Sequence, residues 1–303
     1  MQKIAELLRE AAGSDCILEQ ESMKKHTTFR IGGPADIFAV PDTEEKAAEI
    51  IRICRAHHVP FYVLGNGSNL LVSDEGYRGV IVQIYKNLSK ITTDGDTITV
   101  QAGAMLSVTA KKALAASLTG LEFASGIPGT VGGAVVMNAG AYGGEMKDVT
   151  VSVTVIGQNG EIREVPAEEM EFGYRKSAVS KYGWIVLGAK LRLRPGKEEE
   201  IRARMEELKQ MRVTKQPLDL PSAGSTFKRP EGYFAGKLIM DAGLRGFSVG
   251  GAQVSEKHCG FVVNTGNATA ADVRQLIAEV SERVEKQFGV RLEPEIRMLG
   301  EFR

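Results

Sequence analysis

The residues best suited to chemistry in this chain lie in a glycine-rich stretch that runs from Gly126 to Glu145. Glycine is retained where the backbone needs a positive φ or must come very close to another group. Polar side chains are few in this stretch, and backbone N–H groups wrapped around a bulky anionic ligand suit such a composition. We therefore expect a ligand-binding loop that is too rich in glycine to be an ordinary helix or strand. An irregular loop with a purely structural role is the alternative.

A second glycine stretch, Gly65-Asn66-Gly67-Ser68-Asn69, lies between two apolar runs that are typical of strands. A dinucleotide-binding fingerprint would need a third glycine and a following helix, whereas here Leu70 and a strand follow. The sequence also contains no Walker A loop. Taken alone, this turn predicts a plain hairpin as readily as a ligand site.

Together the two stretches resemble the FAD-binding segments of the UDP-N-acetylenolpyruvoylglucosamine reductase (MurB) family. Leu64–Val72, Gly126–Gly133 and Asn138–Tyr142 carry the resemblance, which extends from about Thr27 to Arg297. It implies an α+β fold, with a two-lobed FAD-binding domain of the vanillyl-alcohol-oxidase (PCMH) type followed by a smaller α+β substrate-binding domain. It also implies contacts with FAD from Gly65, Asn66, Gly67, Ser68, Asn69, Gly126, Gly129, Thr130, Gly132, Gly133 and Asn138.

Three further segments match the family's catalytic signature in the same order along the chain. The resemblance makes Arg175, in Gly-Tyr-Arg-Lys-Ser, the active-site arginine. It makes Ser225, in Ala-Gly-Ser-Thr-Phe-Lys, the proton donor, and Glu295, in Leu-Glu-Pro-Glu-Ile-Arg, the catalytic acid. Taken singly, these residues are as typical of a surface charge, a turn serine and a strand-edge acid.

The resemblance implies a two-step reaction in which NADPH reduces non-covalently bound FAD. UDP-N-acetylglucosamine enolpyruvate then takes the hydride at C3 and a proton at C2, which yields UDP-N-acetylmuramate for peptidoglycan synthesis and thus for cell-wall biogenesis, cell shape and cell division. A guanidinium offers forked donors for the charge that builds on the substrate carboxylate. A neutral serine hydroxyl can protonate the strongly basic C2, and Glu295, if burial keeps it protonated, would polarise the carboxylate.

The diphosphate of that substrate needs cationic partners. Arg212 and Lys215 match a basic pair near the family's substrate site, and Lys228, Arg229 and Tyr174 are further candidates. For each basic residue, a solvated surface charge is the alternative. The family's best-known branch inserts a tyrosine-bearing loop between the arginine and serine segments. This chain lacks that loop, so it resembles the shorter branch.

The composition sets limits on partners and location. Of the 303 residues, 43% are hydrophobic and 25% charged, with 38 basic and 38 acidic side chains, which argues against nucleic acid or an anionic membrane as a bulk partner. The three widely spaced cysteines predict free thiols in a reducing compartment and no zinc site. The charged N-terminus is neither a signal peptide nor a membrane span. We therefore expect a cytoplasmic monomer or weak oligomer that binds a small UDP-sugar.

The elements that must position these residues divide the chain into three consecutive stretches. We expect an N-terminal helix and lead-in over residues 1–29, the FAD-binding domain over 30–195 with lobes of about 30–88 and 89–195, and the substrate-binding domain over 196–303. Hydrophobic periodicity and charge predict helices over 2–11, 42–58, 106–118, 197–215 and 269–288. The Asn159-Gly160 pair predicts a hairpin turn, and residues 292–299 read as a final strand.

Two other functions stay open on the sequence alone. A flavoprotein of the same fold that oxidises an alcohol or sugar would need a base or a covalent flavin link. The best-known of those links use a histidine, and the glycine stretches contain none of His26, His57, His58 and His258. A non-catalytic nucleotide-sugar-binding module is the second alternative, against which the three catalytic candidates count. An absorbance scan separates these functions, because either enzyme would carry flavin and the module would be colourless.

Overall fold

The computed structural model describes residues 1–302, which form two compact units built from interleaved segments of the chain. Unit 1 consists of Met1–Glu19, Ile37–Asn66 and Gly79–Arg212. Unit 2 consists of Gln20–Asp36, Gly67–Arg78 and the chain from Val213 onward. Each unit therefore draws on stretches that are distant from one another in the sequence.

Amphipathic segments form most of the helices. They are α1 (Gln2–Ala12), α2 (Glu44–Ala56), α3 (Leu106–Ala115), α4 (Val131–Met137), α5 (Ala178–Tyr182), α6 (Glu198–Lys215), α7 (Ala235–Asp241) and α8 (Ala270–Phe288). The helices predicted over 2–11, 42–58, 197–215 and 269–288 are confirmed as α1, α2, α6 and α8, with small shifts at the ends. Helix α8 begins with a capping box between Thr269 and Asp272 and ends at Gly289, whose φ is 68°.

Two predicted elements differ from the structure. The helix expected over 106–118 ends at Ala115, and Val108 in its first turn is 52% exposed. The buried face instead contains Leu106, Thr109, Ala110 and Ala113. The strand expected over 292–299 is limited to 297–299, because Pro294 has no N–H to donate to a ladder and forms only an isolated bridge.

The strands alternate with turns along most of the chain. They are β1 (Ile17–Ser22), β2 (Pro34–Ala39), β3 (Phe61–Leu64), β4 (Leu70–Val72), β5 (Tyr77–Gln83), β6 (Ile91–Asp94), β7 (Thr97–Gln101), β8 (Leu118–Thr119), β9 (Gly140–Ala141), β10 (Gly144–Glu145), β11 (Thr150–Ile156), β12 (Ile162–Pro166), β13 (Ile185–Arg192), β14 (Arg194–Pro195), β15 (Ser222–Ser225), β16 (Ser248–Val249), β17 (Ala252–Val254), β18 (Phe261–Asn264) and β19 (Arg297–Leu299).

Three larger sheets organise these strands. In unit 1, an antiparallel five-stranded sheet has the order β12-β11-β13-β7-β6, and its first hairpin turns at Asn159-Gly160 as predicted. Strands β1, β2, β5 and β3 form a four-stranded sheet in that order, with β3 parallel to β5. In unit 2, the order β15-β18-β17-β16 is antiparallel, and β4 pairs in parallel with β19.

Each unit has its own buried apolar core. In unit 1, the valines of α4 lie in the same cluster as Val153 and Leu187 of the five-stranded sheet. In unit 2, the stripe of α8 packs with Phe227, Leu71 and Phe29, which come from three different stretches of the chain. Burial of these side chains fixes the loops that follow the strands, and those loops carry the candidate site.

The glycine-rich stretch contains helix α4, so the prediction that it is too rich in glycine for a helix is wrong. Thr130 caps this helix, since its Oγ1 accepts a hydrogen bond from Gly133 N at 3.4 Å. A Cβ added at Gly132 would lie only 2.8 Å from Ala102 Cβ. The glycine is thus used for close packing of the helix on its neighbour, and that packing offsets its low helix propensity.

Candidate active site

In unit 1, the first residues of the Gly65–Asn69 stretch lie next to Pro128 and Thr130 of the other glycine stretch. A Cβ added at Gly65 would lie 2.4 Å from Thr130 Oγ1, so only glycine allows this approach. Asn66 Nδ2 donates a hydrogen bond to Pro128 O at 2.7 Å. The structure therefore brings together two segments that are far apart in sequence and that we had assigned to the same ligand.

The first backbone N–H groups of α4 already donate hydrogen bonds to backbone carbonyls of the protein. Val131 N donates to Ala104 O at 2.8 Å, and Gly132 N donates to Ala102 O at 2.8 Å. The exposed residues of the stretch are Gly126, Pro128, Gly133 and Gly143. A ligand of this stretch would therefore meet exposed backbone that carries almost no side-chain cover.

Replacing Gly132 with valine is expected to destabilise unit 1, because the new side chain would overlap Ala102. Overpacking of this kind typically costs about 1–3 kcal/mol. We expect a lower midpoint of urea unfolding and reduced flavin content, since residues 129–133 would be displaced together.

The matched control is Gly133→Ala, because a Cβ at this exposed position would lie 3.6 Å from Thr130 Oγ1, an ordinary contact. We expect this variant to unfold near the wild-type urea concentration. A Gly132→Val protein as stable as the wild type would contradict the packing role of Gly132.

Arg212 lies beside the exposed glycine segment. A Cβ added at Gly126 would lie 2.8 Å from Arg212 Cδ, and Arg212 Nε is buried with no hydrogen-bond partner among residues 1–302. Burial lowers the pKa of the Arg212 guanidinium, and a hydrogen bond with Tyr142 partly opposes this shift. A buried donor without an acceptor is costly, and an anionic ligand would supply the acceptor. The unsatisfied donor makes Arg212 a candidate for contact with an anion.

The remainder of the first glycine stretch lies in unit 2. Gly67 has a φ of 62°, and a Cβ there would lie 2.2 Å from His26 O, so glycine is required on both counts. Asn69 Nδ2 donates to Glu295 O at 3.3 Å, and Asn69 O accepts from Arg297 N at 3.0 Å. The loop we had assigned to the flavin thus contacts the segment that carries the catalytic acid.

Ser225 and Glu295 lie on adjoining segments of unit 2. Ser225 ends β15 and is exposed, and its Oγ donates to Phe227 O at 3.2 Å. Glu295 N donates to Thr226 O at 2.8 Å, and Phe227 forms a bridge with Pro294. The half-buried Glu295 and the exposed Ser225 hydroxyl are therefore held by one short piece of backbone pairing.

The basic substrate candidates have different surroundings. Lys228 Nζ lies 3.0 Å from Glu293 Oε2, so its charge already has a partner. The guanidinium of Arg229 lies 4.0 Å from the centre of the Phe234 ring, and its Nε donates to Tyr233 O. Lys215 ends α6 and is exposed. Of the substrate-site cations that the sequence predicts, Arg212 is the one with a buried unsatisfied donor in the described part of the chain.

Arg175 is the second of the two residues at the tip of a tight turn in unit 1. Gly173 and Lys176 exchange two backbone hydrogen bonds, at 3.0 and 3.2 Å, so Tyr174 and Arg175 form the tip. Arg175 has a φ of 56°, which is uncommon for a residue with a long side chain. Its guanidinium lies 5.1 Å from the centre of the ring of Tyr174, a substrate candidate. Strained backbone of this kind persists only where its surroundings hold it.

The side chain of Asn138 is occupied by protein groups. It is fully buried, and its Nδ2 donates to Glu145 Oε2 at 2.7 Å and to Gly173 O at 3.2 Å. Its Oδ1 accepts from Lys147 N at 2.9 Å. Because both N–H bonds are donated and the side chain has no exposed surface, the amide is not open to the cofactor contact that the resemblance implied.

Tyr142 is a residue of the site that the sequence analysis did not assign. It hydrogen-bonds Arg212 and has a φ of 52°. The signal was present, because Tyr142 ends the Asn138–Tyr142 segment that resembles the family. A tyrosine held in the left-handed region next to a glycine stretch indicates a constrained position.

Other chemistry is restricted by the described residues. Within residues 1–302, no group of three His, Cys, Asp or Glu side chains is arranged to hold a metal ion, and no helix is long and apolar enough to cross a membrane. Cys16, Cys54 and Cys259 are free thiols. Burial raises the pKa of Cys54 to about 12, so this thiol stays protonated at neutral pH and is a poor nucleophile.

Two family descriptions match the chain. Residues 216–299 match the C-terminal domain of UDP-N-acetylenolpyruvoylglucosamine reductase, and residues 35–166 match an FAD binding domain. The UDP-N-acetylenolpyruvoylglucosamine reductase of Agathobacter rectalis is 59% identical over 298 residues, which cover 94% of this chain and 95% of that protein.

Solved structures are similar as well. The UDP-N-acetylenolpyruvylglucosamine reductase (MurB) of Thermus caldophilus is 39% identical, with a TM-score of 0.80 over 93% of this chain and 98% of that one. Phl p 4.0202, a glucose dehydrogenase, is 13% identical, with a TM-score of 0.51 over 97% of this chain and 58% of that one. The second likeness shows a shared fold alone.

Proposed function

Because the chain belongs to the UDP-N-acetylenolpyruvoylglucosamine reductase (MurB) family, we propose that Arg175, Ser225 and Glu295 perform the second half of its reaction. The chain is an FAD-dependent oxidoreductase that reduces UDP-N-acetylglucosamine enolpyruvate to UDP-N-acetylmuramate, with NADPH as the hydride donor. It acts in the synthesis of peptidoglycan precursors. Its fold is α+β, with an FAD-binding domain of the vanillyl-alcohol-oxidase type followed by a smaller domain.

The three side chains have separate tasks in this proposal. Bound FAD, once reduced by NADPH, supplies the hydride that reaches C3 of the substrate. Arg175 binds the substrate carboxylate through the forked donors of its guanidinium as negative charge builds there. Ser225 gives its hydroxyl proton to C2, and solvent at this exposed side chain returns a proton before the next turnover. Glu295, the catalytic acid of this proposal, acts on the same carboxylate.

One set of contacts in unit 2 supports this proposal most. Asn69, in the loop proposed for the flavin, is hydrogen-bonded to both Glu295 and Arg297. A Cβ added at Gly224 would lie 3.8 Å from Ser68 O, so the segment of Ser225 approaches the same loop. A proton donor that must act next to a flavin is expected in such a position.

We also propose which residues contact the cofactor and the substrate. We propose that FAD contacts Gly65–Asn69, Gly126 and Gly129–Gly133, of which Gly126 and Gly133 are exposed. Arg212 is the strongest candidate for a diphosphate, and Lys215, Lys228, Arg229 and Tyr174 are further candidates for the substrate. The family matches fall inside the proposed domains of 30–195 and 196–303, whereas the compact units of the fold draw on interleaved segments.

We also propose that the enzyme works in the cytoplasm as a monomer or weak oligomer. Its three cysteines are free thiols, as is usual in a reducing compartment. Its donor NADPH and its UDP-sugar substrate are both small, water-soluble anions. A chain with equal numbers of acidic and basic side chains has no overall field that would hold it on nucleic acid or an anionic membrane.

The purified protein is expected to be yellow, with FAD that acid denaturation releases entirely into solution. It should oxidise NADPH only when the enolpyruvyl UDP-sugar is present, because the reduced cofactor needs that acceptor. An absorbance scan before and after acid precipitation, followed by an NADPH assay with and without substrate, tests the proposal. Flavin retained on the precipitate would indicate the covalent oxidase, and a colourless protein the binding module.

A further inference from the structure

We infer that Asn138 is a positioning residue, whose side-chain amide holds the turn that carries Arg175 against the C-terminal end of α4. The inference rests on the proposed role of Arg175. The family resemblance implied a cofactor contact for Asn138. The inference gives Asn138 a different role, which is to hold this turn within unit 1.

The first observation is that Asn138 uses its whole side chain within the protein. Both N–H bonds of its amide are donated, one to Gly173 O and one to the Glu145 carboxylate, and its oxygen accepts from Lys147 N. The side chain has no exposed surface. A buried amide with every group satisfied is rigid, because moving it would break several hydrogen bonds at once.

The second observation is that the turn is tied on both sides. Gly173, which accepts the bond from Asn138, immediately precedes the tip formed by Tyr174 and Arg175. On the other side, Ser177 Oγ donates to Val136 O, in the last turn of α4, at 2.9 Å. The two attachments together fix where the tip stands relative to the helix.

The third observation is the backbone of Arg175 itself. Its φ of 56° is disfavoured for a residue other than glycine, asparagine or aspartate. Without the attachment at Gly173, the turn could relax to a conformation that the chain prefers. The guanidinium would then leave the position in which it binds the substrate carboxylate.

Helix α4 connects this turn to the glycine segment proposed for the flavin. It starts after Thr130 and ends at Asn138, which caps it in the left-handed conformation with φ 41° and ψ 54°. With seven residues, it is about 10 Å long. The helix therefore acts as a rigid spacer between the segment proposed for FAD and the turn with the proposed carboxylate ligand.

Asparagine suits this position better than its relatives. It tolerates the left-handed conformation and supplies two donors and an acceptor in one short side chain. Aspartate keeps the shape but has no N–H for Gly173 O, and its charge would face Glu145. Glycine also tolerates this backbone conformation, so Asn138→Gly removes only the three side-chain hydrogen bonds.

The test is stopped-flow flavin absorbance on the holoenzyme, with each half-reaction followed separately. In Asn138→Gly, we expect reduction by NADPH within about two-fold of wild type and reoxidation by substrate slowed by about 10- to 100-fold, the effect of a small displacement of a reacting group. Asn138→Asp should show the same selectivity and provides a second variant if the first binds FAD poorly.

A double variant separates positioning from general damage. In an Arg175→Ala background, Asn138→Gly should slow reoxidation no further, because residues that act as one unit have non-additive effects. Thr150→Val is the matched control: it removes another buried hydrogen bond of unit 1, from Thr150 Oγ1 to Met146 O at 2.7 Å, without touching the turn. This control should reoxidise at the wild-type rate.

Three results would overturn the inference: normal reoxidation in both Asn138 variants, an additive loss in the double variant, or equal slowing of both half-reactions. If Arg175→Ala itself reoxidised normally, the proposed role of Arg175 would fail, and the inference with it. If Arg175→Ala were selectively slow while the Asn138 variants were normal, the inference alone would fail.

Discussion

Replacing Ser225 with alanine is expected to slow reoxidation of the reduced flavin by substrate by at least about 10²-fold, the low end for a positioned proton donor. Reduction by NADPH should stay near the wild-type rate, because no proton is delivered to C2 in that step. The loss follows from the proposed chemistry: hydride addition makes C2 strongly basic, and the variant has no hydroxyl to protonate it. Stopped-flow flavin absorbance on each half-reaction measures both rates.

The fold of this variant should be preserved. Ser225 is exposed, and its hydroxyl donates to Phe227 O at 3.2 Å, so the substitution removes one side-chain hydrogen bond and no core packing. Substrate should still bind, because the candidates for the diphosphate are other residues.

Two further variants complete this experiment, a conservative substitution of Ser225 and a control serine elsewhere in unit 2. Ser225→Cys should recover part of the lost rate, because a thiol is more acidic and has similar reach. Ser281→Ala removes a hydroxyl that bonds Ile277 O on α8 in the same unit, and it should behave as wild type. Undiminished reoxidation in Ser225→Ala would leave water or another acid as the donor.

Replacing Arg175 with alanine is the second substitution with a large expected effect. Loss of one preorganised donor to a developing charge typically costs about 10²–10³ in rate. The charge in question arises only after hydride transfer to the substrate. We therefore expect slow reoxidation by substrate and nearly normal reduction by NADPH, measured in the same stopped-flow experiment.

Lys176→Ala is the matched control for Arg175. It removes a positive charge one residue away in the same turn, from an exposed side chain with no assigned catalytic role, and should reoxidise normally. Arg175→Lys should restore little, because an ammonium cannot make the forked contact of a guanidinium. Equal damage to both half-reactions in Arg175→Ala would mean that Arg175 supports the fold or the cofactor site.

Much of the fold could be predicted from local patterns. The stripe of α8, its capping box and the Asn159-Gly160 hairpin are encoded in consecutive residues, so periodicity and turn chemistry are sufficient. The family resemblance found the glycine stretches and the catalytic segments for the same reason, since each is a short continuous motif.

The parts that could not be predicted depend on partners distant in sequence. Gly132 looks unsuited to a helix until its contact with Ala102 is known, and Asn138 looks like a loop ligand until its bond to Gly173 is known. The consecutive domains expected from the sequence also differ from the interleaved compact units. No local pattern shows that Gly67–Arg78 packs with the C-terminal part of the chain.

The partner of β4, strand β19, is synthesised long after β4 itself. Leu70–Val72 leave the ribosome well before Arg297–Leu299, with which they pair. Asn69 and Glu295, which are hydrogen-bonded, are 226 residues apart, and contacts of such high sequence separation slow folding. An unpaired apolar strand is a template for aggregation. The nascent chain must therefore carry this unpaired strand edge until residues 297–299 have been synthesised.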